Sequence, residues 1–142
     1  MLSTPVILTV AGSDCSGGAG IQADIKTISA LKGYAASVIT AVTAQNTVGV
    51  QAVYPIPPDI VRMQTESVMD DLQPAAVKIG MVHNAAIVRA IAECLQRFRP
   101  RLCCLRSGHG VYQRTATDDG RYHSHNSGRA FPPLLPDNSQ FE

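Results

Sequence analysis

The sequence lacks the features that mark membrane-spanning, exported and nucleic-acid-binding proteins. None of its apolar runs approaches the roughly 20 residues that a membrane span requires. The amino terminus has no basic region followed by a long apolar stretch, so we expect no signal peptide. The formal net charge is only +1, which gives no reason to expect nucleic acid or an anionic membrane as a partner.

The sequence also lacks a cysteine pattern that would indicate disulfides or a metal site. Its four cysteines are Cys15, Cys94, Cys103 and Cys104, and their spacing suits neither a disulfide framework nor a C-x-x-C metal site. We therefore expect a reduced, cytoplasmic protein. Hydrophobic residues make up 45% and charged residues 16% of the 142-residue chain, which is the ordinary balance of a globular domain.

A strand, a glycine-rich turn, a helix and a second strand are predicted within residues 6–45. Residues 6–10 and 35–42 are apolar and rich in β-branched side chains, as buried strands are. Between them, apolar residues recur at steps of four and three, on one face of a helix: Ile21, Ile25, Ile28 and Leu31. This order predicts a βαβ unit and therefore an α/β fold with a mostly parallel sheet.

The glycine-rich turn at residues 16–20 fits neither common nucleotide fingerprint. No lysine follows its glycines at the P-loop spacing, and no acidic residue ends the second strand as a dinucleotide site requires. The pattern alone is equally consistent with a tight strand-to-helix turn and with a ligand-binding loop. Asp14 and Ser16 are typical cap and turn residues.

The elements predicted further along continue this alternation. A short edge strand or flap is expected at residues 49–54, and a helix beginning at Pro57 should bury Ile60, Met63, Val68 and Leu72, with Met69 also in the core. A third parallel strand is predicted at residues 75–81. Asn84 then caps a helix with a continuous apolar stripe, formed by Ile87, Val88, Ile91, Leu95 and Phe98.

Residues 6–98 resemble the hydroxymethylpyrimidine kinase/phosphomethylpyrimidine kinase family of thiamine biosynthesis. The resemblance lies in AGSDCSGGAGIQADIKT at residues 11–27, TAVTAQNT at residues 40–47 and VKIGM at residues 77–81. It implies a ribokinase-like, three-layer αβα fold with a mostly parallel sheet, here truncated. It also implies an enzyme that uses ATP and Mg²⁺ to phosphorylate 4-amino-5-hydroxymethyl-2-methylpyrimidine and its monophosphate.

The same resemblance implies a set of residues that bind the pyrimidine. The set consists of Gln45, Gly12, Asp24, Met81, Gly18 and Ala19. Without the resemblance, Gln45 would be a surface-loop residue, Met81 a core residue and Asp24 a cap of nearby turns. The catalytic residue, the anion hole and most of the ATP pocket are expected in the carboxyl-terminal half of such kinases, so no catalytic or metal-binding residue is assigned here.

Two alternatives to this function stay open, and so does the oligomeric state. The chain could be a non-catalytic pyrimidine-binding remnant, or another ribokinase-like vitamin kinase such as a pyridoxal kinase. The resemblance also suggests a homodimer, with the pyrimidine and ATP as small-molecule partners.

The resemblance ends where a fourth parallel strand is due, after Arg101. We therefore predict a kinase segment at residues 1–102 and a non-matching, disordered tail at residues 103–142, because this tail has little apolar periodicity. A solvated tail is favoured over a metal site built from Asp118, Asp119, His123 and His125.

The segment from Cys103 resembles the family in a different reading frame. If its codons are chosen freely among synonyms and the frame is moved one nucleotide along, the same segment can encode VVCDPVMVSTSG, which resembles the family. A frameshift near Cys103 and a weakly active or inactive chain are the resulting hypotheses, and resequencing the gene tests the first.

Overall fold

The computed structural model describes residues 4–107, 110–116 and 122–126. The described chain alternates strands and helices up to residue 107 and then adds two further strands. In chain order the elements are β1 (Val6–Asp14), α1 (Gly20–Ala30), β2 (Tyr34–Gln45), β3 (Val50–Pro55), α2 (Pro58–Leu72), β4 (Ala76–Ile79), α3 (Ala85–Phe98), β5 (Leu102–Ser107), β6 (Gly110–Ala116) and β7 (Tyr122–Asn126).

All of these strands form one seven-stranded sheet with the order β3-β2-β1-β4-β5-β6-β7. Its central part is parallel, because β1 pairs with β2 and with β4, and β4 pairs with β5, in the same direction. The additions on both sides are antiparallel: β3 pairs with β2, β6 with β5, and β7 with β6. The predicted α/β fold with a mostly parallel central sheet is confirmed.

The helices lie on both faces of the sheet. Leu8 and Val10 of β1 are fully buried in a cluster that includes residues of α2 and α3. Thr9 lies between them and points to the opposite face, since side chains alternate along a strand, and there its hydroxyl donates a hydrogen bond to Asp24 of α1. The molecule therefore has a layer of two helices, the sheet, and a layer that contains α1.

The local signals in the sequence located the elements up to α3, with an error in the face assigned to α2. The Asn84 cap is confirmed, because its side chain accepts a hydrogen bond from the Ile87 N–H at 3.0 Å. The predicted buried face of α2 is wrong at Ile60 and Met63, which are 42% and 60% exposed, whereas Met69 is buried and Val68 and Leu72 pack against the core. The buried positions of α2 are Val61, Thr65 and Met69. Thr65 interrupts the apolar pattern of this face. Its buried hydroxyl has a hydrogen-bond partner, because it donates to the Val61 carbonyl at 2.8 Å.

The region after residue 102 contains strands where the sequence pattern predicted no packed structure. β5 is the fourth parallel strand that the alternation required, and β6 and β7 follow it as an antiparallel extension of the same sheet. The pairing of β6 with β5 has a physical reason. Without β6, the edge of β5 would present a row of backbone N–H and C=O groups with no hydrogen-bond partner in the sheet. The rest of the predicted tail, including Asp118 and Asp119, lies outside the described residues, and the boundary at residue 102 stays a prediction.

Within the described residues, each helix is either too short or too polar to cross a membrane.

Candidate substrate-binding site

Three of the predicted site residues lie at the same edge of the sheet, where parallel strands end. Gly12 is near the carboxyl end of β1, Gln45 is the last residue of β2, and Met81 follows β4 by two residues. The strand register aligns these ends, since Val10 pairs with Ile79 and Asp14 with Thr43. Ligands of open α/β sheets bind at this edge.

Gly12 and Met81 are in close contact at this edge. A Cβ atom added to Gly12 would lie 2.6 Å from the Met81 Cε atom, so a side chain at position 12 would displace the methionine. The backbone of Met81 is fixed, because its carbonyl accepts a hydrogen bond from the buried Thr40 hydroxyl at 2.8 Å. The Met81 side chain itself is 46% exposed, and a soft thioether in this position can pack against an aromatic ring.

The glycine-rich loop is organised around the carboxylate of Asp14, which is 4% exposed. Its Oδ1 atom accepts hydrogen bonds from the Ser16 N–H at 2.8 Å and the Ser16 hydroxyl at 2.7 Å. Its Oδ2 atom accepts from the Gly18 N–H at 3.0 Å and the Ala19 N–H at 2.7 Å. Asp14 and Ser16 are therefore turn residues, as their types predicted. Gly18 and Ala19 have their amide hydrogens directed at Asp14.

Two glycines of this loop are required by the backbone. Gly17 and Gly20 have φ angles of +78° and +57°, in the left-handed region that favours glycine. A Cβ atom on Gly20 would also lie 2.2 Å from the Gly12 carbonyl oxygen. The loop turns back on β1 so closely that only a residue without a side chain fits there.

Helix α1 closes the loop from the other side through Gln22. The Gln22 Oε1 atom accepts from the Asp14 N–H at 2.8 Å, and its Nε2 atom donates to the Ser13 hydroxyl at 2.7 Å. The Lys26 ammonium donates to the Gly17 carbonyl at 2.9 Å. Side chains of α1 therefore hold both the start of the loop, at Ser13 and Asp14, and its middle, at Gly17, by hydrogen bonds that need no ligand.

Gln45 is attached to this loop through its backbone. The Cys15 thiol donates to the Gln45 carbonyl at 3.0 Å, and the Gln45 N–H donates to the Cys15 sulfur at 3.3 Å. The Gln45 side chain is half-buried, and it makes a small contribution to lowering the pKa of Asp14. The amide of Gln45 retains further donor and acceptor capacity that a ligand can use.

Asp24 is engaged in a contact that the sequence did not indicate. Its Oδ2 atom accepts hydrogen bonds from the Thr9 hydroxyl and from the Lys78 ammonium, each at 2.6 Å. The Asp24 and Lys78 side chains are only 19% and 24% exposed, and Thr9 is fully buried. Asp24 therefore connects α1 to β1 and β4. Its predicted contact with the pyrimidine stays a prediction.

The hydrogen bonds around Asp14 change its ionisation. The Ser16 hydroxyl makes the largest contribution, opposed by desolvation and aided by the Ser16 and Ala19 amides, and together they lower the pKa of Asp14 from 3.8 to about 2. A carboxylate that accepts several such bonds is held in its charged form. Asp14 is therefore an anion throughout the physiological pH range.

This low pKa predicts how stability depends on pH. Because the folded-state pKa of Asp14 is depressed, its contribution is present above about pH 4 and is lost as the pH falls toward about 2. We expect the free energies of unfolding of the wild type and of Asp14→Asn to differ at pH 6 and to converge as the pH approaches 2. Urea unfolding at a series of pH values measures both. A difference that stays constant down to pH 2 would contradict the assignment.

The described residues offer no evident place for Mg²⁺. They contain no group of three or more histidine, cysteine, aspartate or glutamate side chains that could hold a metal ion. The loop amides that would approach a nucleotide phosphate are directed at Asp14 instead. No residue in the described part of the chain is therefore assigned to a metal ion.

Comparison with known proteins identifies the family. A family model described as phosphomethylpyrimidine kinase matches residues 14–109. The hydroxymethylpyrimidine/phosphomethylpyrimidine kinase of Escherichia coli (strain K12) is 59% identical over 92 residues, which are 65% of this chain and 35% of that protein. This chain therefore spans about a third of the length of that relative.

Solved structures agree on the fold. The crystal structure of phosphomethylpyrimidine kinase from Clostridium difficile 630 is 45% identical, with a TM-score of 0.72, over 84% of this chain and 49% of that one. Pyridoxal kinase from Staphylococcus aureus, in complex with AMP-PCP and pyridoxal, is 31% identical with a TM-score of 0.66, over 72% of this chain and 39% of that one. The predicted ribokinase-like architecture is confirmed. On the family match and these similarities, the chain belongs to the phosphomethylpyrimidine kinase family.

Proposed function

We propose that this chain forms the pyrimidine-binding part of a kinase that phosphorylates 4-amino-5-hydroxymethyl-2-methylpyrimidine and its monophosphate in thiamine biosynthesis. In the first phosphorylation the hydroxymethyl oxygen forms a bond to the γ-phosphorus of ATP, the bond to the ADP leaving group breaks, and the hydroxyl proton is released. In the second phosphorylation a phosphate oxygen of the monophosphate is the attacking atom, and ADP leaves again. Residues of this chain bind and orient the ring. ATP is the co-substrate, and Mg²⁺, if bound with it, would be held by groups outside the described residues and would supply charge neutralisation at the phosphates.

The observation that carries this proposal is the convergence of Gly12, Gln45 and Met81 at one edge of the sheet. The Met81 side chain packs against the bare backbone of Gly12, and its half-exposed thioether suits a flat aromatic ring. Gln45 ends β2 on the same edge and is held on the loop by Cys15. Its amide matches the ring nitrogen and amino group of an aminopyrimidine, which accept and donate side by side.

Gly18, Ala19 and Asp24 belong to the proposed site with different contributions. Gly18 and Ala19 form the exposed wall of the loop and offer backbone and small side-chain surface to a ring. The Asp24 Oδ2 atom already accepts hydrogen bonds from Thr9 and Lys78, so we propose that Asp24 contacts the pyrimidine through its Oδ1 atom. A homodimer, which the family resemblance suggests, and a cytoplasmic location, which the cysteine pattern suggests, belong to the same proposal.

The proposal predicts ligand binding without turnover by this chain. We expect 4-amino-5-hydroxymethyl-2-methylpyrimidine to raise the melting temperature, and Gln45→Ala to weaken its binding about tenfold, as loss of a buried ligand hydrogen bond does. Thermal-shift and calorimetric titrations measure both. A coupled assay with ATP and Mg²⁺ should give no product, because the chain spans 35% of its curated relative.

Gln51→Ala is the matched control for this test. Gln51 lies on β3, is exposed and contacts Asn46 at 3.4 Å, so its loss should leave pyrimidine binding unchanged.

Pyridoxal is the competing ligand, because pyridoxal kinases are among the similar structures. A shift with pyridoxal and none with the aminopyrimidine would replace the proposal by the pyridoxal kinase alternative, and a shift with neither would reject it. Turnover would contradict the expectation that this chain is inactive.

A further inference from the structure

The ion pair between Asp24 and Lys78 lies beside the proposed ring site. The Lys78 ammonium is 2.6 Å from the Asp24 Oδ2 atom, and a Cβ atom added to Gly80 would lie 2.9 Å from the same ammonium. Gly80 is held in the sheet, because its N–H donates to the Val10 carbonyl at 2.8 Å. Gly80 directly precedes Met81. The ion pair therefore borders the edge of the sheet where the ring is proposed to bind.

The two oxygens of the Asp24 carboxylate are used differently. Oδ2 accepts from the Thr9 hydroxyl and from the Lys78 ammonium, each at 2.6 Å, whereas none of the hydrogen bonds within the described residues goes to Oδ1. Thr9 is fully buried, and the Lys78 side chain is 24% exposed. Two donors on different strands, β1 and β4, therefore restrict rotation of the carboxylate and leave Oδ1 as the atom that can meet a ligand.

The charge state of a carboxyl group determines which ligand groups it can recognise. An ionised carboxylate only accepts hydrogen bonds, whereas the amide of Gln45 carries both a donor and an acceptor. A neighbouring cation favours the ionised form of a carboxyl group, and a protonated carboxyl group can donate as well as accept. With the Lys78 ammonium in place, the Asp24 Oδ1 atom attracts an N–H group and repels a carbonyl oxygen.

We propose that Lys78 is a positioning residue that, together with Thr9, holds Asp24 as an acceptor, so that the site selects a ring with an exocyclic amino group over a ring with an oxo group. The amino group has two N–H bonds, one for Gln45 and one for Asp24. Lys78 does not touch the ring and acts through Asp24. This inference rests on the proposed function, because it concerns the same ring at the same edge of the sheet.

The test compares two rings by calorimetric titration of the full chain at neutral pH. One is 4-amino-5-hydroxymethyl-2-methylpyrimidine, and the other is its analogue with an oxo group in place of the amino group. In the wild type we expect the amino ring to bind at least about tenfold tighter, which is the effect of one charge-assisted hydrogen bond. In Lys78→Met this ratio should fall to about threefold or less, because Asp24 loses its counter-charge.

The ratio of the two affinities separates a positioning role from a merely structural one. If Lys78 only stabilised the fold, Lys78→Met would weaken the binding of both rings alike and leave the ratio unchanged, which would overturn the proposal. Lys78→Arg keeps the positive charge, so its ratio should stay closer to that of the wild type. Equal ratios in Lys78→Arg and Lys78→Met, or a wild type that does not distinguish the rings, would also overturn it.

Lys32→Met is the matched control for the loss of one positive charge. Lys32 is exposed and lies between α1 and β2, at the edge of the sheet where the parallel strands begin. Both affinities should therefore stay those of the wild type. A fall of the ratio in Lys32→Met as large as in Lys78→Met would mean that net charge sets the ratio, and the proposal would be wrong.

Thr9→Val is the second variant, in case Lys78→Met does not fold. It keeps the Lys78 charge but removes the hydroxyl that donates to Asp24 Oδ2, so the ratio should fall about threefold, and Thr9→Ser should restore it. If the amino ring binds but the ratio depends on neither Thr9 nor Lys78, only this inference fails. If neither ring binds to the wild type, the proposed function fails and this inference fails with it.

Discussion

Replacing Gly20 by alanine is expected to destabilise the protein by about 3 kcal/mol or more, which is the upper range for overpacking a closed site. The added Cβ atom would lie 2.2 Å from the Gly12 carbonyl oxygen and 3.3 Å from the Asp14 nitrogen. Both neighbours are backbone atoms of a central strand and cannot rotate away. The φ angle of +57° adds strain, because alanine rarely adopts it. Urea unfolding monitored by circular dichroism measures the loss.

Gly49→Ala is the matched control for this substitution. Gly49 lies just before β3, and a Cβ atom there would have no neighbour within 4 Å. We expect its free energy of unfolding to stay within about 0.5 kcal/mol of the wild type. Equal effects at the two positions would mean that the loop is not closed against β1.

Replacing Asp24 by alanine is expected to cost about 2 kcal/mol in stability. The substitution leaves the largely buried Lys78 ammonium without its counter-charge and the fully buried Thr9 hydroxyl without its acceptor. Removing one partner of a buried ion pair is more costly than the pair is worth, and the partial exposure of this pair reduces the figure. A double-mutant cycle with Lys78→Met measures the coupling by urea unfolding.

The chain supplies an exposed ion pair for comparison. Arg97 and Glu66 are 3.0 Å apart, with side chains 59% and 32% exposed. We expect Glu66→Ala to cost about 0.5 kcal/mol or less, as pairs in contact with solvent do. If Asp24→Ala cost no more than Glu66→Ala, Asp24 would not be the tether between α1 and the sheet, and its role would have to lie elsewhere.

Local sequence signals identified most of the elements of the fold. The β-branched runs around Leu8 and Val38, and the Asn84 cap with its apolar stripe, each depend on neighbouring residues and could be read directly. The face of α2 could not, since burial of Thr65 depends on what packs against that helix. The strands after residue 107 were missed because their pairing follows from the exposed edge of β5, which periodicity alone does not reveal.

The candidate site was predicted in part for a similar reason. Gly12, Gln45 and Met81 lie at or near the ends of strands whose parallel order implies that these ends meet, and the family resemblance named them. The role of Asp14 was readable as a turn residue, but its burial and its four hydrogen bonds were not. The Asp24–Lys78 pair joins residues far apart in the chain, and only the register of Thr9 with Lys78 brings them together.

The position of β1 in the sheet has a consequence for how the protein is made. β1 leaves the ribosome before β2 and β4, yet it lies between them, and Ile7 pairs with both Ala35 and Ala76. One edge of β1 can pair once β2 has been synthesised, whereas the other edge stays unpaired until β4 follows, when more than half of the described chain has been made. Parallel pairings between distant segments form late, and until they form, unpaired apolar strands are exposed and prone to aggregation. The nascent chain should therefore depend on chaperones more than a protein of this size whose strands pair in the order they emerge.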